Sequence, residues 1–147
     1  MSGEKKLSDV PVIINKVPKN GSKTAHEALE RVLDTFACSI DRHGVHWIAK
    51  PEHAARKNEH GTISTLYIKL HALHRGHAVR YVFDESGKAE LCTRSGPQIQ
   101  FSWLEALEHA RKIICDELRS TKIEEGQEPN TEDRLLELRK FEDMQFI

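Results

Sequence analysis

The spacing of apolar residues predicts that the chain begins with a strand and a helix. Residues 11–17 form a β-branched run typical of a short strand, and the turn-forming segment 18–21 ends it. Beyond this segment, apolar residues recur every three or four positions as far as Cys38, which is the spacing of one helix face. Ser22 or Thr24 would cap the start of this helix.

The middle of the chain predicts a strand, two helices and a hairpin. Residues 45–49 alternate as a strand does, Pro51 suits the first turn of a short helix, and Gly61 would end that helix. The β-branched start of residues 62–75 favours a strand, but five apolar positions match helical spacing, so we predict a helix. Alternation over residues 78–93, around a turn of Asp, Glu, Ser and Gly, predicts a β-hairpin.

Two further helices are predicted towards the C-terminus. Ser102 and Glu105 form a capping-box pattern before a long apolar stripe, which predicts a helix over residues 103–119. The polar, acidic segment 120–130 is typical of a linker, and a shorter amphipathic helix is predicted over residues 132–143.

The predicted order is therefore β-α-β-α-α-β-β-α, followed by a C-terminal helix. This order indicates an α+β fold in which helices cover one face of a small, mostly antiparallel sheet. We expect a frayed N-terminus over 1–10, one α+β domain over 11–119, the acidic linker 120–130, and within 131–147 a helix that packs away from the main core. The expected core comprises Leu29, Val32, Leu33, Phe36, Val79, Tyr81, Phe83, Leu104, Leu107 and Ile114.

Composition narrows the class of protein. The length of 147 residues suits one domain, and 38% hydrophobic residues suffice for one core. No segment approaches the roughly 18 consecutive apolar residues of a membrane span, and we expect no secretory signal at the N-terminus. Cys38, Cys92 and Cys115 lie far apart, which excludes a disulfide framework and an ordinary zinc finger. We expect buried, reduced thiols in a cytoplasmic protein.

Charge is divided unevenly along the chain. Residues 1–100 contain 15 Lys and Arg against 11 Asp and Glu, a net charge of +4, whereas residues 101–147 contain 7 against 12, a net charge of −5. A basic body with an acidic tail is compatible with a nucleic-acid or acidic-protein contact. The pI of about 6.8 does not favour a dedicated nucleic-acid binder, because such proteins usually have a high pI and a clustered basic stripe.

Histidines are concentrated in one region, because seven of the nine lie between His43 and His77. His71, His74 and His77 recur every third residue, and histidines at this spacing on one helix face can share a metal ion. The region contains no H-E-x-x-H pattern, however, and Gly76 would interrupt the helix face. We therefore expect surface and helix-cap histidines without a bound metal or cofactor.

One segment has a pattern that suits an anion. Lys19, Ser22 and Lys23 surround the predicted start of the first helix, where backbone amides and lysines can bind a phosphate. The segment lacks the second glycine of a phosphate loop, so only a possible anion-binding site is predicted.

These patterns favour a binding protein over an enzyme. No nucleophile motif or other catalytic constellation is evident, whereas the C-terminal helix offers an apolar set for a partner: Leu135, Leu136, Leu138 and Phe141. We expect a small cytoplasmic accessory or inhibitor protein, of a kind common among phages and mobile elements, that binds a protein partner in a nucleoprotein complex and forms a homodimer through this helix. The alternatives are a metal-dependent hydrolase or nuclease using the His43–His77 region, and a nucleic-acid-binding module.

Overall fold

The structure, a computed structural model of the chain, describes residues 14–18, 23–39, 48–54, 61–70, 78–93, 98–120 and 131–147. The elements within these ranges confirm the predicted α+β fold class. In chain order they are β1 (Ile14–Asn15), α1 (Lys23–Asp34), β2 (Ala49–His53), β3 (Thr62–Lys69), β4 (Ala78–Asp84), β5 (Lys88–Thr93), β6 (Ile99–Ser102), α2 (Trp103–Ser120), α3 (Thr131–Glu142) and β7 (Gln145–Phe146).

Five strands form an antiparallel meander in the order β2-β3-β4-β5-β6, and β1 pairs separately with β7 in parallel. The predicted hairpin is β4–β5. Its turn is closed by the carboxylate of Asp84, which accepts hydrogen bonds from the backbone N–H of Ser86 at 2.9 Å and from its hydroxyl at 2.6 Å. Gly87 completes the turn at φ 90°, a left-handed conformation that glycine adopts without steric cost.

The prediction of a helix over residues 62–75 is wrong, because residues 62–69 form strand β3. Leu66, Ile68 and Leu70 are buried at every second position, and the residues between them are only half-buried. This is the period of a strand, and it agrees with the β-branched residues at the start of the segment. Residues 71–75 lie outside the described part of the chain.

The short helix predicted from Pro51 to Gly61 is also not formed as expected. Pro51 lies within the edge strand β2, where a missing N–H can be tolerated, and it pairs with Leu66. Gly61 adopts φ 72° directly before β3, and its carbonyl accepts a hydrogen bond from the backbone N–H of Glu85. Strand β6 was not predicted, so the observed order is β-α-β-β-β-β-β-α-α-β.

The core lies between the sheet and the helices. Every residue of the expected core is buried except Leu104, whose exposed fraction is 37%. The neighbouring Trp103 faces inward instead, and its indole N–H lies 3.2 Å from the Asp84 carbonyl and 3.1 Å from the Lys88 carbonyl. Because adjacent residues of a helix point in different directions, burial of Trp103 turns Leu104 towards solvent.

The C-terminal helix α3 forms as predicted, but the expectation that it packs away from the main core is wrong. Phe141 is fully buried against Phe36, with ring centroids 5.8 Å apart. The ammonium of Lys140 donates a hydrogen bond to the Ala37 carbonyl at 3.0 Å, just beyond the end of α1. The apolar side of α3 is therefore used to complete the chain's own core. Within the described ranges, every helix is too short or too polar to cross a membrane.

Candidate partner-binding surface

The sheet presents one face that the described helices do not pack against. Side chains of a strand alternate between the two faces, and the inward-facing residues of β3, β4 and β5 form one buried cluster with residues of α1 and α2. The alternate residues point away from these helices and are exposed or half-buried. We call this surface the outer face; it comprises Lys50, Glu52, Thr65, Tyr67, Lys69, Ala78, Arg80, Val82, Lys88, Glu90, Cys92, Gln100 and Ser102.

Three basic residues occupy positions next to one aromatic residue on the outer face. The strand register places Lys50 opposite Tyr67, and Tyr67 opposite Arg80. The Arg80 guanidinium lies over the Tyr67 ring, 5.4 Å from its centroid, which is cation–π geometry. Lys69 lies two residues along β3 on the same face. We call Lys50, Tyr67, Lys69 and Arg80 the basic-aromatic patch.

The row next to the patch contains two acidic residues, and the exposed Lys88 lies beyond this row on the same face. Glu52 lies opposite Thr65, and Glu90 lies between Val82 and Gln100 in the next row of the register. One row is two residues, or roughly 7 Å, from the other along a strand. The outer face therefore has a basic patch beside an acidic row, and it favours a partner with the opposite pattern of charge.

Cys92 lies in the same row as the patch, opposite Arg80. Burial raises the pKa of its thiol, Glu90 raises it further, and Arg80 opposes this rise. A thiol in this environment stays protonated at neutral pH, and the thiol is a poor nucleophile compared with the thiolate. Cys92 therefore does not supply a catalytic group to the outer face.

An Asp-His-Ser chain lies on the inner side of the sheet edge. The Asp34 carboxylate is 2.9 Å from Nε2 of His53, and Nδ1 of His53 is 3.0 Å from the Ser64 hydroxyl. The same three groups form the triad of serine hydrolases. Ser64, however, is 0% exposed, so a substrate has no access to its hydroxyl. The hydrogen-bonded series from Asp34 to Ser64 therefore joins the end of α1 to strands β2 and β3, and it does not form an active site.

A second histidine contacts a buried tyrosine. The Tyr81 hydroxyl is hydrogen-bonded to Nδ1 of His109 at 2.6 Å, and burial raises the pKa of Tyr81, so the phenol remains protonated. Desolvation lowers the pKa of His109, and the charge of Lys112 lowers it further. His109 is thus neutral at pH 7, and it lines an open groove of about 710 Å³ beside Phe101 while its Nδ1 is held by the Tyr81 hydroxyl.

The residues predicted to bind a partner through the C-terminal helix have different environments. Phe141 is fully buried, Leu138 is partly buried against the core, and Leu136 is half-buried. Leu135 is 40% exposed. The four side chains therefore do not form one exposed apolar surface on α3.

The other predicted sites lie largely outside the described residues. This applies to Lys19 and Ser22 of the anion site, and to His71, His74 and His77 of the metal alternative. Lys23 is the first residue of α1, and its side chain is not described. These sites remain predictions from the sequence.

Sequence reasoning missed the basic-aromatic patch. Its signal is the polar alternation Thr65-x-Tyr67-x-Lys69, which becomes visible once this segment is taken as a strand. Arg80 belongs to the hairpin that was predicted, but its position beside Tyr67 depends on how β3 pairs with β4.

Comparison with models of known protein families, with curated proteins and with solved structures finds no match to this chain.

Proposed function

We propose that this chain is a small non-catalytic protein that binds a protein partner through the outer face of its sheet, as an accessory subunit or an inhibitor. The observation that carries the proposal is the basic-aromatic patch on the face that the described helices leave uncovered. Tyrosine and arginine are enriched among the few residues that supply most of the binding energy of protein interfaces.

The mixed charge of the outer face supports a protein partner over a nucleic acid. A nucleic acid presents a uniform row of phosphates, which Lys50, Lys69 and Arg80 would attract and Glu52 and Glu90 would repel. A protein can instead place acidic groups against the basic-aromatic patch and basic groups against the row of Glu52 and Glu90. The partner we propose therefore has an acidic surface bordered by basic residues.

We also propose that the protein is not an enzyme and that it resides in a reducing compartment of the cell. Among the described residues, the Asp-His-Ser constellation lacks an accessible nucleophile because Ser64 is buried, and Nδ1 of His109 is occupied by the hydroxyl of the buried Tyr81. Cys38 and Cys115 are buried free thiols, as is typical of cytoplasmic proteins.

The proposal is tested with a pair of matched double variants. The tagged chain is used to capture proteins from nuclease-treated lysate, the captured protein is identified and purified, and its dissociation constant is measured by calorimetry. Tyr67→Ala combined with Arg80→Ala should weaken binding at least about 30-fold, since a hot-spot truncation costs about 2 kcal/mol or more. The control combines Leu104→Ala with Glu108→Gln, two exposed positions of α2, and should leave binding unchanged.

Other results would contradict the proposal. Equal binding by both double variants would place the interface elsewhere on the molecule. Loss of capture after nuclease treatment, together with a steep dependence of binding on salt, would favour the nucleic-acid alternative.

A further inference from the structure

The two edges of the five-stranded sheet differ in their protection against pairing with another strand. Edge strand β2 contains Lys50, Pro51 and Glu52, the residue types that discourage edge-to-edge pairing, and Cys38 forms a bridge to its first residue. Edge strand β6 has the sequence Ile-Gln-Phe-Ser, without a charged residue or a proline. Its Ile99 is 46% exposed. The β6 edge is therefore the one suited to accept a further strand.

Among the described residues, β6 pairs with β5 alone, and its backbone identifies the centre of this edge. The N–H of Trp103 donates to the Gly87 carbonyl at 3.1 Å, and hydrogen-bonded pairs alternate along an antiparallel ladder. Phe101 and Ile99 therefore direct their backbone groups towards β5, whereas Gln100 directs its N–H and C=O away from the sheet. The N–H of Ser102 also points outward, and it is already bonded to the Glu105 carboxylate at 3.1 Å.

We propose that a second copy of this chain pairs antiparallel with β6, with Gln100 of each copy opposite Gln100 of the other about a twofold axis. In this register the two Gln100 residues exchange two backbone hydrogen bonds, and none of the central bonds requires the N–H of Ser102. A C₂ pair of identical surfaces is the commonest arrangement of soluble oligomers.

The side chains in this register are self-complementary. Ile99 of one copy lies opposite Phe101 of the other on the helix side of the sheet. These residues form a non-hydrogen-bonded pair, the type of antiparallel pair in which side chains lie closest together. The groove beside Phe101 and His109 borders this position. The Gln100 side chains meet on the outer face, where their amides can hydrogen-bond to each other. The result is one continuous sheet of ten strands, and this inference does not depend on the proposed function.

The test compares the mass in solution of the wild-type chain and three variants by sedimentation over a dilution series. The wild type should be a dimer. Gln100→Pro removes the central N–H without removing a bond to β5, and proline is tolerated where an edge N–H faces solvent, so this variant should be a folded monomer. Gln100→Thr, the matched control, keeps the N–H and should remain a dimer.

Ile99→Lys provides a second route to the same answer. A lysine on the open edge should raise the dimer dissociation constant at least tenfold, even if the proline variant fails to fold. Circular dichroism and the melting temperature verify folding of each variant. A wild type that is monomeric throughout the series would overturn the inference, and so would a dimer that survives both Gln100→Pro and Ile99→Lys, as a dimer held through α3 would.

Discussion

Residues of the same type differ sharply in burial, even within one helix of this chain. Leu104 and Leu107 lie three residues apart at the start of α2, and both belong to the apolar stripe that is visible in the sequence. Leu107 is fully buried, whereas Leu104 is 37% exposed because Trp103 is buried next to it. The apolar stripe therefore predicts the helix correctly, but it does not predict which of the two leucines is buried in the core.

This difference predicts unequal losses of stability. Leu107→Ala should lower the free energy of unfolding by about 2–5 kcal/mol, since it removes buried methyl groups and leaves a cavity. Leu104→Ala should lower it by less than about 1 kcal/mol, as for most exposed positions. Urea denaturation of both variants measures the comparison. Equal losses would show that the orientation of α2 on the sheet is wrong.

The sequence best predicts those elements that are stabilised by contacts between residues close together in the chain. The reciprocal bonds of Ser102 and Glu105 and the Asp84 turn form between residues close in the chain, so their patterns are complete without knowledge of the fold. Strand β3 is different, because its apolar positions fit two periods. Its pairing with both β2 and β4 decides between them, and that pairing is a property of the whole sheet.

The capping box of α2 predicts a dependence of stability on pH. The backbone N–H of Ser102, and secondly its hydroxyl, lower the pKa of Glu105. A carboxylate with a lowered pKa in the folded state stabilises that state above its pKa in the unfolded chain, about 4.3, and this contribution is lost as the pH falls through the folded-state pKa.

Thermal melting of the wild type and Glu105→Gln measures this contribution. The wild type should melt at a higher temperature at pH 7, and the difference should shrink as the pH is lowered towards 3. A difference that is independent of pH would show that the charge of Glu105 does not contribute.

Helix α3 illustrates how an element can be predicted correctly and placed incorrectly. Its position on the core follows from Phe141, which contacts Phe36 across about a hundred residues of sequence. Phe141→Ala should therefore cost about 3–5 kcal/mol of folding free energy, whereas Leu135→Ala on the exposed side should cost less than about 1 kcal/mol. Denaturant melts give both values. A negligible effect of Phe141→Ala would restore the expectation of a helix detached from the core.

At the scale of the whole molecule, the core and the proposed binding surface lie on opposite faces of the sheet. The face towards the helices contains the buried cluster, and the outer face contains the basic-aromatic patch. Lys50, Tyr67 and Arg80 are separated by 13 or more positions in sequence and become neighbours only through strand register. Sequence patterns indicate which residues are polar, but they do not indicate which polar residues meet, and this is why the patch was missed.

Protection of Cys92 by the purified partner is the most direct test of the outer face as the binding surface. Cys92 lies in the row of the patch, while Cys38 and Cys115 are buried and act as internal references. Alkylation is performed at mildly alkaline pH, because the pKa of Cys92 is raised. Mass spectrometry should find that bound partner slows alkylation of Cys92 at least tenfold. An unchanged rate at saturating partner would contradict the central claim that the outer face forms the interface.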